Sequence, residues 1–413
     1  MQALVSSFSA HPARLTVLRL LVAGVVAVAV CSQLVAVLVP SAACPDRRPL
    51  LPARFLPRSP LSAPVPKPPP VKCVVFNFGD SNSDTGELAA GTGFRLHRPV
   101  GRRFFGRPAG RFCDGRLYID FLCERLGLDH LSPYLESSGS SFRHGANFAA
   151  AGATAGGGGA FSLATQVRQF RHFKARTAHL LRRGLGSGIT EEQFEDAVYS
   201  FDIGQNDIQV ALDANVSDER VLESVPDGER VLESIPAIVT RIKNAVTMVY
   251  EAGGRKFVLY NTGPLGCLPS TLARWGGEPV DGAGCLARHN APARAFNARL
   301  GRLCGELRAE LAGATVVCVD MYAIKYGLVA NHTAHGFSEP MMACCGGGGP
   351  PYNYKAGMAC GSSKVKACPD GERRISWDGL HYTEAANRIV ADEILSAKYS
   401  DPPLQLQELC AGM

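Results

Sequence analysis

Four short apolar runs, set apart by long amphipathic stretches, constrain this chain more than any other feature. The runs are 71–78 (VKCVVFNF), 197–203 (AVYSFDI), 256–261 (KFVLYN) and 315–320 (TVVCVD). Each is rich in β-branched and aromatic residues and reads as a buried strand. Segments 163–183, 235–252, 286–311 and 383–395 carry apolar residues at three- and four-residue intervals, with Thr383 or a near neighbour as the cap of the last. That is helical spacing. Strands alternating with helices imply a parallel sheet covered on both faces. The pattern predicts one α/β domain over residues 71–400, followed by a tail, 401–413.

The N-terminal segment differs in kind. Residues 1–72 hold eight Lys or Arg and one acid, so the formal charge of +6 becomes −1 from Cys73 onward. The folded domain therefore lacks the basic footprint of a nucleic-acid binder. Arg14 and Arg19 precede an uncharged, mostly apolar run, 20–39, which is followed by Pro40-Ser41-Ala42-Ala43. Residues 1–43 read as a signal peptide cut before Cys44 or as an uncleaved signal anchor. The anchor would keep the arginines in the cytosol and give a type II Golgi membrane protein; cleavage would give a secreted one. Residues 44–70 carry ten prolines and form an extended stalk. ERVLESVP (219–226) and ERVLESIP (229–236) form a local duplication, too short for a repeat architecture.

Two features agree with a secretory destination. Asn215 and Asn331 head N-glycosylation sequons. Thirteen cysteines follow the hydrophobic run, in no zinc-site spacing. The expected disulfides are Cys267 with Cys285, and one joining the Cys344/Cys345 pair to Cys360 or Cys368. The odd count leaves a free thiol, expected at Cys318 because it sits in an apolar strand.

The stretch FNFGDSNSDTG (76–86) ends the first strand. Asp80, Asn82 and Asp84 have the spacing that opens an EF-hand loop, but Thr85 and Gly91 stand where that loop needs its Gly and its Glu. Calcium is therefore not expected. Ser81, three residues past the strand, occupies the position where an open parallel sheet keeps its working groups. A serine needs a base, a group to orient the base, and donors for an oxyanion. No serine here lies in a G-x-S-x-G elbow. Asp378 and His381, three apart in a turn before the last helix, can pair side chain to side chain and leave one ring nitrogen for Ser81. The plainer reading is a helix-capping Asp378 and a half-exposed His381. Asn206 follows the second strand and can offer an amide N–H, or simply shape an Asx-turn. Gly152, in NFAAAG, lets backbone approach a ligand, or makes a tight turn.

Together these four pieces resemble, in order, the four sequence blocks of the GDSL-type (SGNH) hydrolases. GRRFFGRPAGRFCDGRLYIDFL (101–122), YNTGPLGCLPS (260–270) and ACCGGGGPPYNY (343–354) resemble the plant branch of that family. The resemblance implies a single flavodoxin-like three-layer α/β/α domain with a parallel central sheet. It implies Ser81 as nucleophile, with Ser81 N–H, Gly152 N–H and the Asn206 side chain as oxyanion hole. His381 is then base and acid, oriented by Asp378, and no cofactor or metal is called for. Asp80, Asn82 and Asp84 become shapers of the turn. Relatives often carry Gly where this chain has Glu87; an acid there is expected near the site mouth, bearing on substrate choice.

The implied substrate is an ester-bearing polysaccharide or lipid. Similarity to the branch that includes cell-wall polysaccharide deacetylases points to acetyl esters of a polymer such as xylan. Lipid acylhydrolase, glycosidase and non-catalytic glycan-binding protein are the alternatives. Residues 95–116 hold seven arginines (95, 98, 102, 103, 107, 111 and 116) against Asp114. They attract uronic-acid groups, or pair with acids elsewhere in the fold.

Overall fold

The computed structural model describes residues 73–157, 160–185, 188–216, 228–369 and 373–410. Its centre is a sheet of β1 (Val75–Gly79), β2 (Gly145–Asn147), β3 (Val198–Asp202), β4 (Lys256–Tyr260), β5 (Thr315–Val319) and β6 (Ser400–Asp401). The order is β2-β1-β3-β4-β5-β6, with every pair parallel except the last. The five parallel strands have the flavodoxin-like 2-1-3-4-5 order. Val75 lies level with Gly145 and Val198, Val198 with Lys256, and Lys256 with Thr315. The strands thus start together, four of the five also end level, and the connection reverses direction between β1 and β3. That switch point is where such sheets hold their ligands.

Alternation along each strand divides the core in two. Phe76, Phe78, Tyr199, Phe201, Phe257 and Leu259 face one side; Val75, Val198, Val258, Tyr260, Val317 and Val319 face the other. The first face is covered by α3 (Leu163–Arg182), α5 (Gly228–Glu251) and α6 (Ala287–Glu310). The second is covered by α2 (Tyr118–Arg125), α7 (Met321–Ala330) and α8 (Glu384–Leu395). The short α1 (Glu87–Thr92) follows the β1 turn, and α4 (Gln205–Val216) follows β3. Apolar strands and helices sit where periodicity predicts them. Thr383 caps α8, its hydroxyl accepting from Ala386 N–H at 3.3 Å. Helix α5 begins at Gly228, about two turns before the first predicted helical residue, and runs through Pro236. The second duplicated segment is therefore helix, whereas the first falls outside the described residues.

Two expectations need correction at the chain end. Residues 401–410 are not a tail: Asp401 pairs with Cys318 at the sheet edge, and Cys410 is disulfide-bonded to Cys73 ahead of β1. Cys318 is not free either. Cys304 on the inner face of α6 meets it, because α6 and β5 are successive and packed together. The free thiols among the described residues are Cys113 and Cys123, both buried.

The expected Cys267–Cys285 bond is present, and the Cys344/Cys345 pair forms two bonds rather than one, Cys344–Cys368 and Cys345–Cys360. These two surround a small ribbon whose backbone grips the last loop: Cys344 N–H donates to Ser376 O at 2.9 Å and Cys345 N–H to Trp377 O at 2.6 Å. No described helix is long and apolar enough to cross a membrane. The predicted signal or anchor, 20–39, lies outside the described residues.

Candidate active site

The turn after β1 is knitted by its own polar side chains. Asp80 Oδ1 accepts from Asn82 N–H at 2.9 Å and from Asn82 Nδ2 at 3.0 Å. Asn77 Nδ2 reaches Ser83 Oγ at 3.0 Å and Asn147 Oδ1 at 2.9 Å, and Asn147 Nδ2 reaches Ser83 O at 2.7 Å. The polar string that opens like a calcium loop is thus consumed in holding a turn. Ser81 stands at its crest, 8% exposed, and its hydroxyl has no hydrogen-bond partner among the described residues.

Two loops converge beside it. Gly152 adopts φ +77, where an L side chain is strained. A Cβ there would meet nothing within 4 Å, so open space lies in front of its backbone. Its N–H donates to no group among the described residues. Ala151 N–H is held by Asp84 Oδ2 at 2.8 Å and Ala150 N–H by Gly79 O at 3.1 Å. Asn206 lies in the first turn of α4, and its Nδ2 donates one hydrogen to Ala153 O at 2.9 Å. That bond fixes the amide plane and leaves the second hydrogen free. Asp207 clasps the same loop through Ala155 N–H at 2.9 Å and Gly156 N–H at 2.6 Å. Gly204, at φ +119, is required because the Phe296 ring would stand 2.5 Å from a Cβ. Asn82 Nδ2 to Gln205 Oε1, 3.2 Å, ties the Ser81 turn to α4.

The predicted Asp378–His381 pair is formed. His381 Nδ1 lies 2.7 Å from Asp378 Oδ2, while Asp378 Oδ1 accepts from the backbone N–H of Leu380 at 3.0 Å and of His381 at 2.9 Å. The carboxylate thereby fixes both the turn and the ring, and Nε2 has no partner among the described residues. Burial alone would raise Asp378, but the charge of His381 and these hydrogen bonds outweigh it and hold the carboxyl below its ordinary range. Burial would lower His381; the charge and hydrogen bond of Asp378, with a further push from Asp80, lift it above the ordinary imidazole value. Asp80 adjoins Ser81, so the imidazole and the serine turn share one electrostatic environment.

The profile of the family described as GDSL-like lipase/acylhydrolase matches residues 75–394. The chain belongs to that family. A GDSL esterase/lipase of Arabidopsis thaliana is 48% identical over 347 residues, which are 82% of this chain and 90% of the relative. The GDSL esterase/lipase ACHE of Zea mays is 42% identical over 361 residues, 81% of this chain and 88% of the relative. A relative named alpha-L-fucosidase 3, from Arabidopsis thaliana, is 40% identical over 346 residues, 78% and 89% of the two chains. This GDSL protein is accordingly a serine carboxylic-ester hydrolase.

Two expectations about the GDSL site change. Glu87 does not stand at the site mouth. It starts α1 and turns inward, accepting from Leu135 N–H at 2.8 Å and Gln169 Nε2 at 3.2 Å, and burial pushes it up to about 7. The arginine-rich segment is divided. Arg111 pairs with Asp120 at 2.7 Å, Arg116 with Glu124 and Glu384, and Arg102 lies over Trp377. Arg95, Arg98 and Arg107 remain exposed with no partner among the described residues.

Sequence reasoning missed several neighbours of the site. Phe112 packs on the His381 ring at 5.3 Å and stacks on the exposed Phe94 at 6.1 Å. Asp202, hydrogen-bonded by Tyr118 Oη at 2.9 Å, and Lys325 lie buried beneath the turn. Burial and the neighbouring Asp202 push Asp80 up to about 7, against the hydrogen bonds of Asn82 and the charge of Lys325. Asp202 follows from strand alternation, which puts its side chain with the second core. Lys325 carries no sequence signal, since a lysine in a helix ordinarily faces water.

Proposed function

We propose that Ser81 is the nucleophile of this hydrolase, His381 its base and then acid, Asp378 the group that orients the imidazole, and Ser81 N–H, Gly152 N–H and Asn206 Nδ2 the oxyanion donors. The observation that carries this reading is the 2.7 Å Asp378–His381 pair, whose imidazole feels the charge of Asp80 beside Ser81; a free N–H at Gly152 and a braced amide at Asn206 support it. Ser81 Oγ attacks the ester carbonyl while His381 Nε2 takes its proton. Negative charge collects on the carbonyl oxygen between the three donors. His381 returns the proton to the leaving alcohol, and an acyl-serine remains. Water, deprotonated by the same nitrogen, then frees the acid and restores Ser81. The Ser81–His381 hydrogen bond closes when substrate fills the cleft, as such bonds tighten in the Michaelis complex.

For the substrate we infer an acetyl ester on a plant cell-wall polysaccharide such as xylan, with lipid esters as the alternative. Five disulfides support passage through an oxidising compartment. Segment 20–39 as a cleaved signal or Golgi anchor completes that proposal. Asn331, exposed in the turn after α7, is the proposed glycan acceptor there, and Asn215, in the last turn of α4, is the second candidate. A glycosidase reading, prompted by the relative named alpha-L-fucosidase 3, needs two available carboxylates. Asp84 is a poor member of such a pair, because both its oxygens accept backbone N–H groups.

The test uses p-nitrophenyl acetate, an acetylated xylan and an aryl fucoside, with wild type and Ser81→Ala. Acetate release from the first two by wild type alone supports the proposal. Turnover that survives in Ser81→Ala removes Ser81 from the mechanism, and fucoside cleavage by wild type favours the glycosidase.

A further inference from the structure

A cleft of about 540 Å³ opens on the flank of the serine turn, between residues 105–111 and 131–140. Both walls are fastened to the turn itself. Arg111 Nη1 donates to Thr85 O at 2.8 Å, Gly110 packs so tightly on Gly86 that a Cβ would lie 2.4 Å from its Cα, and Thr85 Oγ1 donates to Leu131 O at 2.9 Å. The cleft is thus prebuilt. Its floor is attached to the loop that carries Ser81, and its first wall continues into Phe112, the residue packed on His381.

The lining is mostly polar. Ser138 and Ser140 stand on one wall with Glu136, which accepts from Ser138 N–H at 3.3 Å. Phe105 supplies an aromatic surface, one face of which is covered by the Arg111 guanidinium at 4.8 Å. Arg107 is exposed on the cleft lining and has no ion pair or hydrogen bond among the described residues. An acyl chain needs predominantly apolar walls, and this cleft does not supply them. Hydroxyl groups, backbone carbonyls, an aromatic ring and an unpaired guanidinium suit a sugar that bears a carboxylate. The guanidinium fork binds a carboxylate with two parallel hydrogen bonds, which an ammonium cannot do. Arg95 and Arg98, also unpaired and exposed, add positive potential on the same segment.

We propose that this cleft is a subsite for a hexuronic acid unit of the substrate chain, with Arg107 holding the carboxylate and Phe105 lying against the ring. The proposal rests on the polysaccharide-ester reading above and adds to it the side-group that the enzyme recognises. It makes the esterified sugar and the acidic sugar neighbours along one polymer.

Binding is measured by calorimetry on Ser81→Ala, with a xylo-oligosaccharide bearing a hexuronic acid and the same oligosaccharide with its carboxyl reduced to an alcohol. Each is repeated in Ser81→Ala/Arg107→Ala. Removing a charge-assisted bidentate hydrogen bond at a partly exposed site weakens Kd by about tenfold. The acidic ligand is expected to bind about tenfold more tightly than the reduced one. Arg107→Ala is expected to abolish that difference, and salt at about 0.5 M to shrink it. Equal affinities for the two ligands, no binding of either, or an advantage that survives Arg107→Ala overturns the subsite. Turnover of p-nitrophenyl acetate by the Arg107→Ala single variant should equal wild type. That small-ester assay, and Ser81→Ala in it, report on the hydrolase reading separately from the subsite.

Discussion

Asp84 Oδ2 accepts the Ala151 N–H at 2.8 Å, joining the serine turn to the glycine loop across 67 residues of sequence. The same carboxylate accepts from Gly86, Glu87 and Leu88 N–H and so starts α1. One side chain therefore fixes both the helix that follows Ser81 and the residue before Gly152. Asp84→Ala leaves these donors without an acceptor in a buried site. The expected loss is roughly 2–4 kcal/mol of stability, from a lost cap and unsatisfied N–H groups. Because Gly152 loses its brace, kcat on p-nitrophenyl acetate should fall by more than KM rises. Denaturant unfolding and steady-state kinetics on the same preparation check both halves; an unaltered unfolding midpoint would refute the capping role.

Asn206 makes one internal hydrogen bond, to Ala153 O. Asn206→Ala should therefore keep the fold. Loss of one oxyanion donor costs on the order of 10²–10³ in kcat, about 3 kcal/mol. The KM for p-nitrophenyl acetate should change little, since the donor acts on charge that develops in the transition state. Turnover close to wild type would take Asn206 out of the oxyanion hole.

The fold was legible in this sequence wherever burial imposed a period. Four of the six strands and four long helices announce themselves by apolar spacing alone. β2 does not, because Gly-Ala-Asn is too short to show a period. It exists through a close approach in which a Cβ on Gly145 would lie 1.8 Å from Val75 O. Glu87 misled for a related reason: the residue type says surface, while Gln169 and the Leu135 N–H accommodate it inside. In the site, Asp378 and His381 were legible because they are local, three residues apart. Lys325 and Phe112 were not, since they reach the serine turn through the tertiary fold, and alternation gave Asp202 its side of the sheet but not its place beneath the turn.

The Asp378–His381 pair fixes the sign of the pH dependence. In its proposed role as base His381 must be neutral, so kcat/KM should rise with pH through its elevated pKa. Asp378→Asn removes the charge that opposes burial, so His381 falls back and the acidic limb should move to lower pH. The maximal rate should drop by roughly 10⁴, as when the orienting carboxylate of a triad becomes an amide. The stability linkage agrees in direction. The raised His381 contributes fully below its unfolded value of about 6.5 and loses that contribution as pH climbs through its folded value. The lowered Asp378 contributes above about 3.9 and loses that as pH falls through its depressed value. A pH–rate profile of Asp378→Asn whose acidic limb stays put, or moves up, would contradict the pairing.

Cys73 and Cys410 close almost the whole domain, 337 residues apart, at the amino end of the sheet and away from the loops that carry the site. Replacing both with serine should lower unfolding free energy by about 2–5 kcal/mol, chiefly by freeing the unfolded chain. Lys256 Nζ still holds Leu409 O at 2.7 Å, so the short C-terminal helix should stay docked in the native state. With that short helix, Leu406–Cys410, still docked, the kcat on p-nitrophenyl acetate at room temperature should match wild type. Chemical denaturation that gives one midpoint for both proteins would remove the staple from the stability argument.

Lys325 is 3% exposed and lies beneath the serine turn with Asp80 and Asp202, which are also buried. Its ammonium has no hydrogen bond or ion pair among the described residues, and it rests 4.8 Å from the Tyr382 ring. Burial pushes its pKa down, and the two carboxylates act to keep it charged. Both carboxyls are raised by burial, and Lys325 restrains each of them. A carboxyl with a raised folded pKa holds in the native state a proton that the unfolded chain releases. It therefore costs stability as pH rises from the unfolded value of about 3.9 through the folded one. Lys325→Met keeps the stem's bulk and removes the restraint, leaving two carboxylates together in a buried site. At about pH 8 the expected loss is about 3–5 kcal/mol, the range for breaking a buried charge group by deleting one partner. At about pH 5, where one carboxyl of the variant takes up a proton, most of that loss should return. Asp80→Asn added to Lys325→Met removes the second charge and should restore much of the deficit at the higher pH. Urea unfolding of the three proteins at both pH values decides the matter. A loss equal at the two pH values, unrelieved by Asp80→Asn, would mean that Lys325 contributes its stem to packing and not its charge to the ground beneath Ser81.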